Sequence, residues 1–213
     1  MTGTLDNAAA RRWLTLATER LEAATGDLTA LDAAIGDGDH GTNLQRGFRA
    51  VRDRVLANPP ATLTEVLKAT GMTLLSTVGG AAGPLYGTFF LRLATATAAE
   101  PAPDGVQLAA VLRAGVDGVR QRGKAELGDK TMVDALLPAL DAADAAVARG
   151  EAAPVVLASA ASAAEDAAVA TTGLVARKGR ASYLGERSAG HRDPGATSSA
   201  ILLRALADAV ATP

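Results

Sequence analysis

Three aspartates, Asp32, Asp37 and Asp39, stand among three glycines in the thirteen residues from Leu31 to Asn43, LDAAIGDGDHGTN. Carboxylates held this close repel one another unless a cation lies between them. Their oxygens are the hard ligands that Mg²⁺ or Ca²⁺ prefers. Magnesium commonly takes one or two carboxylates together with substrate phosphates, so three could serve a pair of ions. The plainer alternative is a solvated acidic turn that caps a helix. A calcium EF-hand starting at Asp37 fails, because Thr42 stands where glycine is required and Phe48 where the bidentate glutamate belongs. The run from Gly36 to Gly41 fits the dinucleotide pattern GxGxxG, yet no strand precedes it and two aspartates would face the pyrophosphate.

Three further segments carry chemistry. VGGAAGPLYG, residues 78–87, offers backbone N–H groups at a helix start, where unpaired donors and the helix dipole favour phosphate. A tight turn between packed helices is the competing reading. GKAELGDKT, from Gly123, resembles a P-loop with one residue inserted before the lysine, but lacks the preceding strand. The stretch from Arg177 to Gly195 holds Arg177, Arg180, Arg187, Arg192, Lys178 and His191. Connections of that length are usually functional or disordered, and arginine's planar fork matches phosphate. His40 and His191 both lie in these segments, and neither receives a proton-transfer role, so no catalytic residue is assigned.

The elements that must position these residues read as helices. Leu44, Phe48, Val51 and Val55 recur at helical spacing, as do Leu108, Val111, Leu112, Val116 and Val119, and Val133, Leu136, Leu137 and Leu140. Thr62 with Glu65 and Asp104 with Gln107 form capping-box patterns, while Pro84 and Pro194 suit first helical positions. Gly26, Gly79, Gly123, Gly150 and Gly173 mark stops. These signals predict eight helices, at about 6–25, 42–57, 63–78, 84–99, 105–122, 131–149, 154–172 and 194–211, with Pro138 able to kink or delay the sixth. Alternating strand patterns are missing. Connections after the first, third, fifth and seventh helices are the chemical segments; the others, ANPPAT, AEPAPDG and RGEAAP, are bland. Antiparallel neighbours would gather all the chemical segments at one end of an all-α, single-domain chain spanning 1–213.

Composition agrees and excludes several classes. Hydrophobic content is 48%, but only six residues are aromatic, so alanine and leucine must build the core. A net charge of −2 offers no basic field for nucleic acid or an anionic membrane, and scarce aromatics leave no base-stacking platform. Without cysteine there are no disulfides, thiolate metal sites or thiol nucleophile. Neither a signal peptide nor a run of about 18 apolar residues is read, so a cytoplasmic protein is expected.

IGDGDHGTN, GMTLLSTVGGAAGPLYGTFF, RGKAELGDKTMVDAL and ARKGRASYLGERSAGHRDPGATS together resemble the nucleotide-binding L subunit of bacterial dihydroxyacetone kinases, the DAK2-domain family, in order and over nearly the whole chain. The resemblance implies an eight-helix antiparallel up-and-down barrel with ADP and two Mg²⁺ at one end. It implies metal ligands at Asp32, Asp37 and Asp39. Nucleotide contacts would fall on His40, Gly41, Thr42, Asn43, Ala81, Ala82, Gly123, Met132, Arg180, Asp193, Pro194 and Gly195. Many relatives carry serine where Ala82 stands, which removes a hydroxyl from phosphate but keeps the backbone N–H. The implied activity relays phosphate from a phosphotransferase-system M subunit through bound ADP to dihydroxyacetone on a K subunit. An ATP-using ketose kinase subunit would use the same residues. A two-metal phosphatase or nuclease and a non-enzymatic helical adaptor are the rivals from other classes, and a homodimer is left open.

Overall fold

The computed structural model describes residues 3–100 and 102–212; Pro101, inside the expected AEPAPDG linker, and the chain-terminal residues 1, 2 and 213 lie outside it. Among the described residues there are nine α-helices: α1 (Asn7–Ala23), α2 (Thr25–Ile35), α3 (His40–Val51), α4 (Leu63–Thr77), α5 (Ala82–Ala96), α6 (Gly105–Gly123), α7 (Val133–Ala148), α8 (Ala153–Ala170) and α9 (Pro194–Ala211). A π turn at Arg52–Leu56 extends α3, and 3-10 turns occupy Thr171–Gly173 and Arg180–Ser188.

The expected caps form. Thr62 and Asp104 each accept the N3 backbone N–H while Glu65 and Gln107 bond back to the cap residue, so both boxes are complete. Asp193 caps α9, with Pro194 at its first position. Pro84 is a correction: α5 begins two residues earlier, at Ala82. Proline costs little there because first-turn N–H groups have no intrahelical partner. Pro138 lies inside α7, which runs on through it.

The larger correction is α2. The segment expected to be an open aspartate loop is helical from Thr25 to Ile35, and Gly26 does not end a helix. Leu28 and Ile35 are buried, so a short helix gains enough by burying one edge to outweigh a glycine in its first turn. Asp32 therefore sits on a helix, and only Gly36 to Asp39 connect it to α3.

From α3 onward each helix packs against its neighbours in sequence, and α1 packs against both α9 and α3, so the neighbour order returns to its start. Small residues set the approach. A Cβ on Gly71 of α4 would lie 2.9 Å from the Gly87 carbonyl of α5. Three of the six aromatics sit together: Trp13 lies 5.2 Å from Phe90, which meets Phe89 edge-on at 5.5 Å. Trp13 Nε1 donates to the Leu202 carbonyl at 2.9 Å, fastening α1 to α9. Helix α8 with its 3-10 extension is the one described element long and apolar enough, by length and composition, to cross a membrane, though Glu165 and Asp166 interrupt it. Its apolarity comes largely from alanine, and Val156, Leu157, Ala160, Ala161 and Ala164 lie in the core.

Candidate active site

Alternation of the helices brings the starts of α3, α5, α7 and α9 to one end, where a cleft of about 870 Å³, counted to its open side, separates them. Asp32, Asp37, Asp39, His40 and Asn43 line it from the α2–α3 corner, Ala81 and Ala82 from α5, Met132 from α7, Arg180 from the 3-10 turn, and Asp193, Pro194 and Gly195 from α9.

Three of the nucleotide contacts expected from the sequence, Gly41, Thr42 and Gly123, fall outside the cleft lining. Gly41 is buried against α2, where a Cβ would collide with the Thr25 carbonyl. Thr42 Oγ1 donates to the Asp39 carbonyl at 2.9 Å, within its own turn. Gly123 ends α6 behind Leu85, whose Cδ2 would lie 3.2 Å from an added Cβ. Leu85 itself lines the cleft.

One oxygen from each of Asp32, Asp37 and Asp39 lies within 4.8 Å of the others. Asp32 Oδ2 accepts the N–H groups of Asp39 at 2.8 Å and His40 at 3.1 Å, so a side chain from α2 caps the start of α3. Asp37 Oδ2 meets Arg180 Nη2 at 2.9 Å. Carboxylate oxygens in this arrangement fit a hard divalent cation by donor type and by crowding of charge.

The neighbouring helix starts differ. Asp193 accepts the Ala196 N–H at 2.7 Å, and Asp134 takes the N–H groups of Gly128 at 2.5 Å and Thr131 at 2.7 Å. Helix α5 starts at Ala81 and Ala82 without any side-chain cap. Its first N–H groups are open to a ligand with no carboxylate beside them, and Gly80 at φ +63 turns the chain into them.

The cleft wall also holds Lys130 and Tyr86, to which sequence reading gave no role. Lys130, 1% exposed and at φ +62, donates Nζ to the carbonyls of Thr171 (2.8 Å), Leu174 (2.9 Å) and His191 (2.5 Å). This is the lysine of the near-miss P-loop, and its three protons are spent on backbone rather than on phosphate. Burial lowers its pKa, against the pull of Asp193 and Asp134. Burial likewise pushes the Asp193 carboxyl up to about 7. Tyr86 OH, pushed by burial up to about 12, contacts Ser198 Oγ at 2.7 Å and Ser199 Oγ at 3.1 Å. Ser198 Oγ in turn lies 2.9 Å from His40 Nε2. Only the P-loop likeness pointed at Lys130; Tyr86 and Ser198 gave no local sign.

The cationic segment also separates. Arg180 and Lys178 line the cleft, Arg177 and Arg187 point to solvent, and Arg192 lines a groove between α1, α8 and α9. Ala176 and Ala181 pack with Ile35 into a small apolar cluster, so the segment is folded against the end of α2 rather than loose.

The family model described as the DAK2 domain matches residues 34–208. The chain belongs to the DAK2 domain family. The match opens two residues after Asp32 and includes every other candidate ligand. Over 195 residues the chain is 49% identical to the ADP-binding subunit DhaL of the PEP-dependent dihydroxyacetone kinase of Escherichia coli, covering 92% of this chain and 93% of that protein. A Listeria innocua protein described in the same terms, as subunit DhaL of its kinase 1, is 44% identical over 203 residues, covering 95% and 96%. The dihydroxyacetone kinase of C. freundii, solved in complex with AMP-PNP and Mg²⁺, superposes with a TM-score of 0.74 at 28% identity. That likeness covers 98% of this chain and 35% of the other, so this DAK2 chain spans about a third of that larger kinase. It likewise matches 33% of the D-erythrulose kinase of Mycolicibacterium smegmatis, at 37% identity.

Proposed function

We propose that this DAK2 chain is the ADP-binding subunit of a dihydroxyacetone kinase, a phosphotransferase with an alcohol acceptor. The observation that carries the reading is the pairing, in one cleft, of a three-carboxylate cluster with the uncapped start of α5. A nucleoside diphosphate tail bridged to the protein by divalent cations needs both halves. The 49% identity to a protein described as an ADP-binding subunit supports the choice of nucleotide.

Asp32, Asp37 and Asp39 would hold two Mg²⁺, which, when bound, supply positive charge to the phosphate oxygens. The α5 N–H groups around Ala81 and Ala82 orient the phosphates, and Arg180 leaves Asp37 to reach the transferred group. With alanine at position 82, only backbone donors act there, and phosphate contact is weaker without loss of function. His40, Asn43, Met132 and the Asp193-Pro194-Gly195 turn complete the pocket. Phosphoryl transfer depends mainly on positioning and charge stabilisation, so a site without a side-chain nucleophile suffices. The acceptor hydroxyl, presented by a K subunit, must be activated there. Bound ADP is recharged by a phosphotransferase-system M subunit, and all three work in the cytoplasm.

A second reading, direct use of ATP, is favoured by the AMP-PNP complex of the C. freundii kinase. Native mass spectrometry of the purified chain tests both. Retained ADP with magnesium, inert to exchange with labelled ATP, supports the relay; ready exchange supports the ATP-using version. Phosphoester hydrolysis by the isolated chain, or no Mg²⁺-dependent ADP binding by calorimetry, overturns the subunit reading.

A further inference from the structure

Ser198 Oγ has three partners and one proton. It lies 2.9 Å from His40 Nε2, 2.7 Å from Tyr86 OH and 3.1 Å from the Gly195 carbonyl oxygen. A carbonyl can only accept, so the Gly195 contact consumes the serine proton. The remaining two contacts must then each bring a proton to Ser198. Tyr86 can do so, because its buried phenol stays protonated far above neutral pH. His40 can do so only from Nε2. Ser198 and Ser199 are each 1% exposed and Tyr86 is 2% exposed, so water is not at hand to make up a missing donor.

We infer that Ser198, seated by Tyr86, is a positioning residue that fixes neutral His40 as the Nε2–H tautomer and leaves Nδ1 a bare acceptor. If the serine proton went to Tyr86 instead, His40 would still have to donate from Nε2. Only donation from Ser198 to His40 gives the opposite tautomer, and it strips the Gly195 carbonyl of its 3.1 Å donor. Both forms are neutral, so no change of charge beside the aspartates is involved.

The consequence concerns the class of group that His40 can meet. An Nε2–H imidazole engaged with Ser198 has no proton to give a phosphate oxygen. It can accept from a ribose hydroxyl or a metal-bound water, a distinction a second-shell partner commonly imposes on histidine. This consequence rests on the nucleotide reading of the cleft; the tautomer does not.

The test is long-range ¹H–¹⁵N correlation of the imidazoles of the full chain, stripped of nucleotide and metal, at pH 8, with His191→Asn to assign the two histidines. His40 is expected as a single Nε2–H pattern with a slowly exchanging Nε2 proton. Ser198→Ala is expected to give a mixture of tautomers and fast exchange. An Nδ1–H pattern in the wild type, or an unchanged pattern in Ser198→Ala, overturns the inference. If Ser198→Ala does not fold, the wild-type spectrum decides alone. Failure of Mg²⁺ and ADP to bind would sink the nucleotide reading while leaving the tautomer result intact.

Discussion

Replacing Lys130 with methionine tests whether the lysine is a strut or a phosphate ligand. Its ammonium joins three carbonyls from two separate stretches, Thr171 and Leu174 on one and His191 on the other. Methionine keeps most of the volume and removes all three donors. The Thr171 carbonyl contact is buried, and an orphaned buried acceptor costs about 1–3 kcal/mol. The other two contacts are partly exposed, so water replaces the donor and the loss is about 1 kcal/mol or less each. The left-handed backbone at position 130 is equally strained with either side chain, so it cancels. The sum is about 1–5 kcal/mol, which for a chain of this length lowers Tm by roughly 2–20 °C. Urea denaturation of the nucleotide-free protein measures it, with Lys130→Arg retaining part of the stability. A phosphate-binding lysine would behave oppositely: ADP affinity would fall while the nucleotide-free protein stayed as stable as wild type. A change in unfolding free energy below about 0.5 kcal/mol would refute the strut.

Other substitutions separate packing from binding. Asp37→Ala removes a half-exposed ion pair to Arg180, so stability should change by less than about 1 kcal/mol while Mg²⁺-dependent ADP retention is lost; calorimetry showing undiminished affinity would count against the metal bridge. Gly41→Ala places a methyl against the Thr25 carbonyl and 2.9 Å from the Thr29 backbone nitrogen, so it should cost about 1–3 kcal/mol with or without nucleotide, measured by thermal melts. Asp193 binds its proton more tightly folded, at about 7, than unfolded near 3.8. Its contribution is therefore fully favourable below about pH 4, declines as pH rises toward 7 and is flat above, by of order 4 kcal/mol at most. Asn at position 193 can still cap α9, so Asp193→Asn should remove that slope from the stability profile between pH 4 and 7.

What the sequence made legible were features whose partners lie close in the chain or whose residue type alone restricts the chemistry. The capping boxes at Thr62 and Asp104 close over three residues, so spacing suffices to find them. The acidic triplet declares itself by charge density, and alternation of the helices then places it opposite the glycine turn. Helix α2 was hidden because Gly26 and the glycines from 36 to 41 look like interruptions, while its short apolar edge, Leu28 and Ile35, is decided by what packs against it. Lys130 was noticed only within a near-miss P-loop that lacks its strand, and no role was read for it. Its neighbours in sequence suggest a phosphate loop, whereas its real partners lie 41 to 61 residues away. The link between His40 and Ser198 spans 158 residues and involves side chains common on any helix.

The distribution of caps explains how one cleft can attract both signs of charge. Four helices start there, and each N-terminus carries the equivalent of roughly half a positive charge. Asp32 quenches the start of α3 from outside, Asp134 sits in the first turn of α7, and Asp193 caps α9. Those carboxylates turn three of the four ends into neutral or acidic ground, and around Asp32 the addition of Asp37 and Asp39 carries the balance far enough to seek a cation. Helix α5 keeps its field, since alanines and no carboxylate stand at its start. An anion entering this end is therefore drawn to one wall and its counter-cations to the facing one. Serine or aspartate installed at position 81 would cap α5 and should weaken ADP binding more than inorganic metal binding. Equal loss of both, measured by titration with Mn²⁺ alone and with Mn²⁺-ADP, would show that the uncapped helix start has no part in holding phosphate.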